Sequence, residues 1–566
     1  MKGNKRSILV SMLFVFLLCP AALAAPTTPK QAEDVVRGWL VYNNSAPFEN
    51  PSGTFSRVES YGEKGEVPNS EALYYAVYLD PKGIILLPAE DTIEPVAAYL
   101  PNATWYGPEP SNPVFGLFGS NIAGIVKKFR QDESRAAAED PSAREKWAFF
   151  QKLAGSASRG DYEGDHLPPG SSPAVWVTPF LEANWGQEFT VTSSPDLTEY
   201  AYNQYTPNNY QAGCGAVMMA EIMYQFKYPK IGIGTAGYTV TVDNYPEEWH
   251  TRGGDGYGGP YNWDLMGAPL AKSMDQGAPN AIGALMYDAA ISIGSVFTSS
   301  ETGSYIERIA DALMQTFHYN NAMLARPSLS GTLDRRMFEL AVNPNLEAGY
   351  PVGLGIYDGF TGAGHAVVAD GYGYEYDKTY YHLVMGWGDP HGSIFDLWYA
   401  MPLIYQFNIV DSIIYNIFPT DNLKDPSALG REIISGRVLI SGDVPSPAVG
   451  AFVRIVGGGL TAVAGPTNER GVFVFAQAPS RTSFTLTAEV GGHTFPTVAV
   501  NTGQSVSHAE RVTQSVGNTW DVIILEGADK GPGAGCGVAL YPVAFLLACL
   551  LMAAASKIRP VKRRRE

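Results

Sequence analysis

The sequence predicts an α+β fold spread over several domains, and three features of the chain support this. A run of helix-forming residues, GAVMMAEIMYQFKYP, follows Cys214 and stops at Pro229. Two apolar runs, GHAVVADGYGYEYD and YYHLVMGWG, have the pattern of paired strands. Beyond residue 430, short alternating apolar runs are separated by Gly and Pro, which is typical of a small all-β sandwich.

The size and charge of the chain limit what it can be. A chain of 566 residues is too long for one hydrophobic core, so several domains are expected. Hydrophobic residues make up 45% and charged residues 17%, as in globular proteins. A formal net charge of -17 argues against nucleic acid as a partner, because nucleic acid binds to basic surfaces.

Both ends of the chain carry targeting patterns. Residues 1–24 read as a signal peptide, with basic MKGNKR, apolar SILVSMLFVFLL and CPAALA before cleavage after Ala24. An uncleaved anchor is the alternative, although its apolar run is short for a membrane span. Residues 527–566 combine a Gly-Cys segment, an apolar run and the basic tail SKIRPVKRRRE. This layout resembles bacterial tripartite sorting signals, and a plain C-terminal membrane anchor is equally consistent with it. We therefore expect an exported protein held at the cell envelope.

The segment before the central domain reads as two parts. Residues 25–155 form a first globular unit, in which two β-rich runs flank the turn DPKG (Asp80 to Gly83) and a helix-prone segment follows. Residues 156–173 are rich in Ser, Gly, Pro and charge, as in a linker. Such a linker is a predicted site of proteolytic processing.

Cysteine usage points to one residue. Of the four cysteines, Cys19 lies in the signal peptide, and Cys536 and Cys549 lie in the C-terminal segment. Cys214 is therefore the only cysteine in the predicted folded ectodomain, where a free thiol invites oxidation. An inert core cysteine is one interpretation. The alternative is a nucleophile, because the N-terminus of a helix favours the thiolate.

A thiolate nucleophile needs a base and an oxyanion donor. His365 stands at the entrance of the first predicted strand, with Trp387 near the exit of the second, where it can shield the imidazole. His382 lies within the second strand and is interpreted as structural. Gln187, in NWGQ, can supply an amide donor beside the backbone N–H of Cys214.

These motifs, in the order Gln, Cys, His, resemble those of the streptopain-type cysteine peptidases. The resemblance covers about residues 25–420, including VTPFLEANWGQ, GCGAVMMAEIMYQFKYP, GHAVVADGYG and HLVMGWG. It implies a papain-like peptidase domain over residues 174–420 and an inhibitory prodomain over residues 25–155. It also implies that the catalytic residues are Cys214 as nucleophile, His365 as base, Gln187 as oxyanion donor and Trp387 as the covering aromatic residue. Residues 430–526 resemble the carboxypeptidase regulatory-like sandwich modules.

The sequence departs from the family at the residue that orients the histidine. The family places an Asn before Gly-Trp-Gly, whereas this chain has Val384, which offers no hydrogen bond. Asp370, Asp389 or a backbone carbonyl are the candidates to replace it. Gly215 also stands where the family has a larger apolar residue.

Three functions therefore remain open. The first is a zymogen of a cysteine endopeptidase that acts on proteins or peptides and is inhibited by its own prodomain. The second is a non-catalytic relative that serves as a binding or adhesion protein, as the loss at Val384 would allow. The third is a transglutaminase-like acyl transferase with Asp389 or Asp396 as its acid. No cofactor is expected, and no metal either, because H-E-x-x-H is absent and the histidines lack ligand spacing.

Overall fold

The computed structural model describes most of the chain between residues 26 and 527. The described residues are 26–43, 53–107, 112, 114–131, 141–155, 174–183, 185–187, 190–194, 197–267, 277–326, 335–375, 378–387, 396–401, 410–419, 431–442, 444–507 and 515–527. The predicted signal peptide, the linker at 156–173 and residues 528–566 lie outside them. Within the parts that the structure describes, no helix combines the length and apolar character needed to cross a bilayer.

Among its described residues, the first segment contains three α-helices and four antiparallel strands. They are α1 Pro29–Tyr42, β1 Thr54–Tyr61, β2 Tyr74–Asp80, β3 Ile84–Pro88, β4 Ala98–Leu100, α2 Ser120–Gln131 and α3 Pro141–Leu153. Strands β2 and β3 pair as the hairpin that was predicted around the DPKG turn. The N-terminus of α1 carries a capping box between Thr28 and Gln31, which satisfies free N–H groups of the first turn.

The middle segment contains four helices and thirteen strands among its described residues. They are β5 Ala174–Val177, β6 Thr190–Ser194, β7 Leu197–Tyr200, α4 Cys214–Phe226, β8 Gly237–Val242, β9 Tyr245–His250, α5 Gly277–Ser292, β10 Val296–Phe297, β11 Thr302–Gly303, α6 Ile309–Gln315, β12 Asn321–Ala325, α7 Arg335–Glu347, β13 Val352–Tyr357, β14 Gly364–Glu375, β15 Lys378–Val384, β16 Asp396–Ala400 and β17 Val410–Phe418. The predicted α+β fold is confirmed.

One sheet of eleven strands runs through both segments. Its order is β1-β2-β3-β4-β16-β15-β14-β13-β17-β12, with β5 added beside β14. The join is the antiparallel pair of β4 with β16, in which Tyr99 faces Trp398 and Ala98 faces Tyr399. The first segment, the predicted prodomain, therefore extends the sheet of the middle segment, the predicted peptidase domain, by hydrogen bonds between their strand edges.

The two faces of this sheet carry different cores. Val367 and Ala369 of β14 belong to a core that includes residues of α1, α2, α3 and α7, whereas Ala366 and Val368 belong to the core around α4 and α5. This is the alternation that the two-residue period of a strand produces. The first segment thus shares a core with one face of the peptidase sheet, and α4 packs on the other face.

Helix α4 is the central helix predicted from the run after Cys214. Its side chains from Gly215 to Tyr224 are buried, as expected for a helix that is apolar nearly all round. It ends at Lys227, which adopts a left-handed conformation (φ 46°) and returns its N–H to carbonyls of the last turn. A helix whose first residue is a cysteine, packed against an antiparallel sheet, is the arrangement of a papain-like domain.

The C-terminal module is the predicted small sandwich. Its strands are β18 Glu432–Ile440, β19 Ser446–Pro447, β20 Phe452–Gly457, β21 Leu460–Ala464, β22 Val472–Ala478, β23 Ser483–Glu489, β24 Val498–Asn501 and β25 Thr519–Leu525. They form two four-stranded sheets around one core. The sandwich docks on α7, where the carboxylate of Glu347 accepts the indole N–H of Trp520 at 3.1 Å and that of Trp176 at 3.1 Å.

Candidate active site

Cys214 is the first residue of α4, as the sequence predicts, and its backbone neighbours are held closely. Gly213 precedes it at φ +91°, and a Cβ there would lie 3.0 Å from Thr302 Cγ2, so glycine is required. A Cβ on Gly215 would press on the Ser304 side chain. The small residue at Gly215, a departure from the family pattern, therefore matches the space available. Cys214 itself is half-buried and has a free thiol.

His365 faces Cys214 from the second residue of β14. The imidazole is 7% exposed. Burial by itself would raise the pKa of the Cys214 thiol, but the hydrogen bond from His365, its charge and the N–H groups of Ala366 and Gly215 together lower that pKa below 9.0. The two side chains therefore interact, and this interaction shifts Cys214 towards the thiolate.

The other nitrogen of His365 is fixed by the main chain. Its Nε2 lies 2.7 Å from the backbone carbonyl oxygen of Met385. A carbonyl oxygen only accepts, so Nε2 carries the proton and Nδ1 is left for Cys214. Burial lowers the pKa of His365, and the hydrogen bonds with Cys214 and Met385 more than offset this, so that the pKa lies above 6.5.

The Met385 carbonyl supplies the hydrogen bond that was missing at Val384. Val384 is buried in the core around α4 and lies opposite Val368 in the β14–β15 pair. Of the three candidates to replace the Asn, the structure thus favours the backbone carbonyl. Asp370 is engaged elsewhere, and Asp389 lies outside the described residues.

Trp387 lies against the imidazole, as its predicted covering role requires. The ring centroids of His365 and Trp387 are 5.5 Å apart, in an edge-to-face arrangement with an interplanar angle of 72°. Trp387 comes two residues after Met385, so the same short segment both accepts the hydrogen bond from His365 and covers its ring. The role of Trp387 stays a prediction.

Gln187 is held near the start of α4 by its backbone. Its carbonyl oxygen accepts the N–H of Ala212 at 2.9 Å, two residues before Cys214, and its side chain is 7% exposed. This places an amide-bearing residue beside the helix N-terminus, as an oxyanion donor requires. Its role in catalysis stays a prediction.

His382 has a partner set of its own, as a structural histidine does. Its Nδ1 lies 2.6 Å from Asp370 Oδ1, and its Nε2 lies 3.7 Å from Asp396 Oδ2. Burial lowers the pKa of His382, but the two carboxylates outweigh it and raise the pKa to about 10. The other oxygen of Asp370 accepts the backbone N–H groups of Phe180 and Leu181. His382 is thus a buried cation that fixes β15 to its neighbours.

The same contacts bear on the acyl-transferase alternative. Asp396, one of the two acids considered for it, pairs with His382 and with Asn102 of the first segment at 3.4 Å. Its two oxygens therefore contact Asn102 and His382 and not His365. In the described part of the chain, no group of three or more His, Cys, Asp and Glu side chains has the spacing of a metal site.

Comparison with known proteins identifies the region that carries this pair. Residues 198–395 match the model of the Peptidase C10 family. The chain is 25% identical over 389 residues to the thiol protease/hemagglutinin PrtT of Porphyromonas gingivalis, which covers 66% of this chain and 39% of that protein. It is 27% identical over 194 residues to streptopain of Streptococcus pyogenes, covering 33% of this chain and 45% of streptopain. The chain thus spans less than half the length of these curated relatives.

Two solved structures resemble parts of the fold. A prointerpain A fragment of Prevotella intermedia aligns with 65% of this chain and 100% of that fragment, at 16% identity and a TM-score of 0.44. Active interpain A aligns with 43% of this chain and 95% of its own, at 21% identity and a TM-score of 0.34. Both TM-scores are below 0.5, so the assignment of the fold depends on the helices and strands described above. The family match confirms the resemblance to the streptopain-type cysteine peptidases.

Proposed function

Since residues 198–395 form a domain of the Peptidase C10 family, we propose that the chain is the zymogen of an exported cysteine endopeptidase that hydrolyses peptide bonds in proteins. The observation that carries this proposal is the contact between Cys214 and His365, with the imidazole held in one tautomer by Met385. A thiolate beside an imidazolium is the activated nucleophile that peptide hydrolysis needs.

The first half of the reaction uses the start of α4. The Cys214 thiolate attacks the carbonyl carbon of the scissile bond, and the carbonyl oxygen becomes an oxyanion. The backbone N–H of Cys214 and the side-chain amide of Gln187 are the proposed donors to it. Because two such donors act in a water-poor cleft, they stabilise the tetrahedral intermediate more than water does.

His365 then transfers the proton that it took from the Cys214 thiol. Its Nδ1–H, acquired from the thiol, passes to the leaving amine as the C–N bond breaks, which leaves an acyl-enzyme on Cys214. The neutral imidazole next takes a proton from water, which attacks the thioester carbonyl. The acid product leaves, and the thiolate–imidazolium pair is restored. Nε2 keeps its bond to Met385 throughout, so the ring stays oriented for each transfer.

Contacts of the first segment support its proposed role as an inhibitory prodomain. Helix α2 lies against the loop of residues 358–363, which leads directly into β14 and His365. The amide of Asn121 is 3.5 Å from Asp358 Oδ1, and Gly124 faces the ring of Phe360 so closely that a Cβ would overlap it. A segment that contacts the approach to His365 can hinder substrate binding until it leaves.

Export and envelope attachment complete the proposal. They rest on the patterns of residues 1–24 and 527–566, and a free thiol as the only cysteine among the described residues fits an enzyme that uses it. The substrate class is protein or peptide, and the prodomain is the expected intramolecular partner. The membrane is the expected partner of the C-terminal segment.

The test is turnover of an unfolded protein substrate after the linker has been cut and the N-terminal fragment has been separated from the rest of the chain. Wild type should cleave the substrate, whereas Cys214→Ser and His365→Ala should reduce the rate by at least about a thousandfold. Incorporation of a labelled amine in place of hydrolysis would support the acyl-transferase alternative. An inactive but correctly folded wild type would support the binding-protein alternative.

A further inference from the structure

Glu221 is a carboxyl group in the middle of an otherwise apolar helix. It lies on α4 seven residues, or about two turns, after Cys214, and therefore on the same side of the helix. Its exposed fraction is 0%, and its neighbours on α4 are apolar. Burying such a group is costly unless hydrogen bonds repay the cost, so its contacts are informative.

One oxygen of Glu221 holds the segment that carries Gln187. Its Oε1 accepts the backbone N–H of Trp185 at 2.9 Å. Trp185 is fully buried against Tyr224 and stands two residues before Gln187, whose own carbonyl is bonded to Ala212. The Glu221 carboxyl therefore attaches this segment to the middle of α4, and the bond between Ala212 and Gln187 attaches it to the residues just before Cys214.

The other oxygen faces the segment that orients His365. Glu221 Oε2 has no hydrogen-bond partner among the described residues, and it lies 4.0 Å from the position that a Cβ would take on Gly386. Gly386 adopts φ +58° and packs so closely on Val217 that its Cβ would be 2.9 Å from Cγ1. Gly386 stands between Met385, whose carbonyl accepts the hydrogen bond from His365, and Trp387, which covers the imidazole ring.

We propose that Glu221 is a positioning residue for the peptidase reaction, because its carboxyl lies between the Gln187 segment and the Met385–Trp387 segment and sets their places relative to Cys214. The inference rests on the proposed function for its catalytic meaning. Glu221 touches neither the substrate nor the reacting atoms. It acts through the segment that carries Gln187 and the segment that orients and covers His365.

The protonation state follows from the surroundings of the carboxyl. Burial raises the pKa of Glu221 well above 4.5, the Trp185 N–H opposes this, and the charge of Asp370 adds to it. These surroundings therefore favour the protonated carboxyl, in which one oxygen accepts and the other carries the proton. A glutamine has the same shape and the same donor and acceptor, whereas a methionine has only the shape.

The experiment compares Glu221→Gln, Glu221→Met and Glu221→Asp with the matched control Asp288→Leu. Asp288 is also buried, on α5, and bonds the N–H groups of Arg252 and Gly253. It therefore reports the cost of losing a buried carboxyl in the same domain. The concentration of reactive Cys214 in each variant is measured by titration with a thiol reagent. All rates are then expressed per reactive thiol.

We expect Glu221→Gln to keep kcat/KM within about threefold, and Glu221→Met to lose about 10- to 100-fold, mainly in kcat. Glu221→Asp keeps the acid but shortens its reach, so its kcat/KM should fall at least about tenfold. This variant serves as the test if the methionine variant does not fold. In Glu221→Met and Glu221→Asp, the pH inflection of Cys214 alkylation should move towards 9. Asp288→Leu should lower the melting temperature without changing either quantity.

Normal kcat/KM and a normal alkylation inflection in Glu221→Met, or in Glu221→Asp where the methionine variant does not fold, would overturn the proposal. So would a glutamine variant as impaired as the methionine one. Failure of the proposed function is distinguishable, because a wild type without turnover still yields an alkylation profile. The shift of that profile then tests the position of Glu221 by itself.

Discussion

His365 donates its Nε2 proton to the backbone carbonyl oxygen of Met385 across 2.7 Å. A backbone group therefore supplies the orientation that a side-chain amide would otherwise give. Because the carbonyl cannot donate, it selects one tautomer and leaves Nδ1 for Cys214. Substitution of the family's Asn by Val384 is thus compatible with an intact Cys–His pair.

Restoring the Asn should not improve the enzyme. In Val384→Asn the amide would enter the core around α4, where Val384 is 3% exposed, while Met385 already occupies the acceptor position. We expect unchanged or lower kcat/KM and a loss of about 1–3 kcal/mol in the free energy of unfolding, from denaturant titration. Val384→Ala serves as the control for lost volume, and a several-fold gain in kcat/KM for Val384→Asn would contradict this interpretation.

The pH dependence of Cys214 alkylation should reveal the ion pair. The Cys214 pKa is lowered below 9.0 and that of His365 is raised above 6.5, so the thiolate persists below pH 9. The rate with iodoacetamide should rise through an inflection below 9 as pH increases. In His365→Ala the hydrogen bond and the charge that lower the Cys214 pKa are lost, so the inflection should move to higher pH. An unchanged inflection in that variant would show that the two side chains do not interact.

The prodomain should stay bound after the linker is cut, because it shares the β4–β16 pair and one hydrophobic core with the peptidase sheet. After cleavage within residues 156–173, wild-type fragments should co-elute in size-exclusion chromatography. Gly124→Leu would push Phe360 away from α2 and should release the prodomain fragment faster.

Gly155→Ala is the matched control for that variant, because nothing lies within 4 Å of a Cβ at Gly155. Equal release rates for Gly124→Leu and Gly155→Ala would show that the contact between α2 and the 358–363 loop does not hold the prodomain.

The uncut chain should lose stability as pH rises towards neutrality. Glu375 lies at the junction with the first segment, where Asn43 donates to it at 3.3 Å and Glu94 and Lys146 form a buried pair 2.6 Å apart. Burial and then the charge of Glu94 raise the pKa of Glu375 from 4.5 to about 7. A raised carboxyl pKa stabilises the folded chain below 4.5, and this stabilisation is lost as pH rises through 7.

This change corresponds to at most about 3 kcal/mol for one group. The melting temperature of the uncut chain should therefore fall between pH 5 and 8, and Glu375→Gln should flatten the decline. Asp288 has a pKa of about 6 and contributes in the same direction, so Asp288→Asn shows how much of the slope belongs to other buried acids. An identical slope in Glu375→Gln and wild type would exclude Glu375 as a source.

Local patterns predicted the elements of the site well. The helix after Cys214 and the β14–β15 hairpin follow from composition and period, and both are found at the predicted places. The β4–β16 pair joins residues about 300 apart, and no local pattern encodes it. The Met385 carbonyl was foreseen only as one of several acceptors, because every residue has a carbonyl and only the fold aims it. Glu221 is one of the few polar residues in the apolar sequence of α4, but its contact with Trp185 depends on how a loop packs.

The most direct measurement of the central claim is intact-mass spectrometry of residues 25–525 incubated with a thiol-directed epoxide, beside a Cys214→Ser control. A cysteine peptidase made as a zymogen should cut itself within residues 156–173 and then take up one inhibitor per chain at Cys214, and the control should do neither. If wild type is neither cleaved nor labelled, even after an added protease has cut the linker and the N-terminal fragment has been removed, Cys214 is not an activated nucleophile and the chain is not a cysteine peptidase.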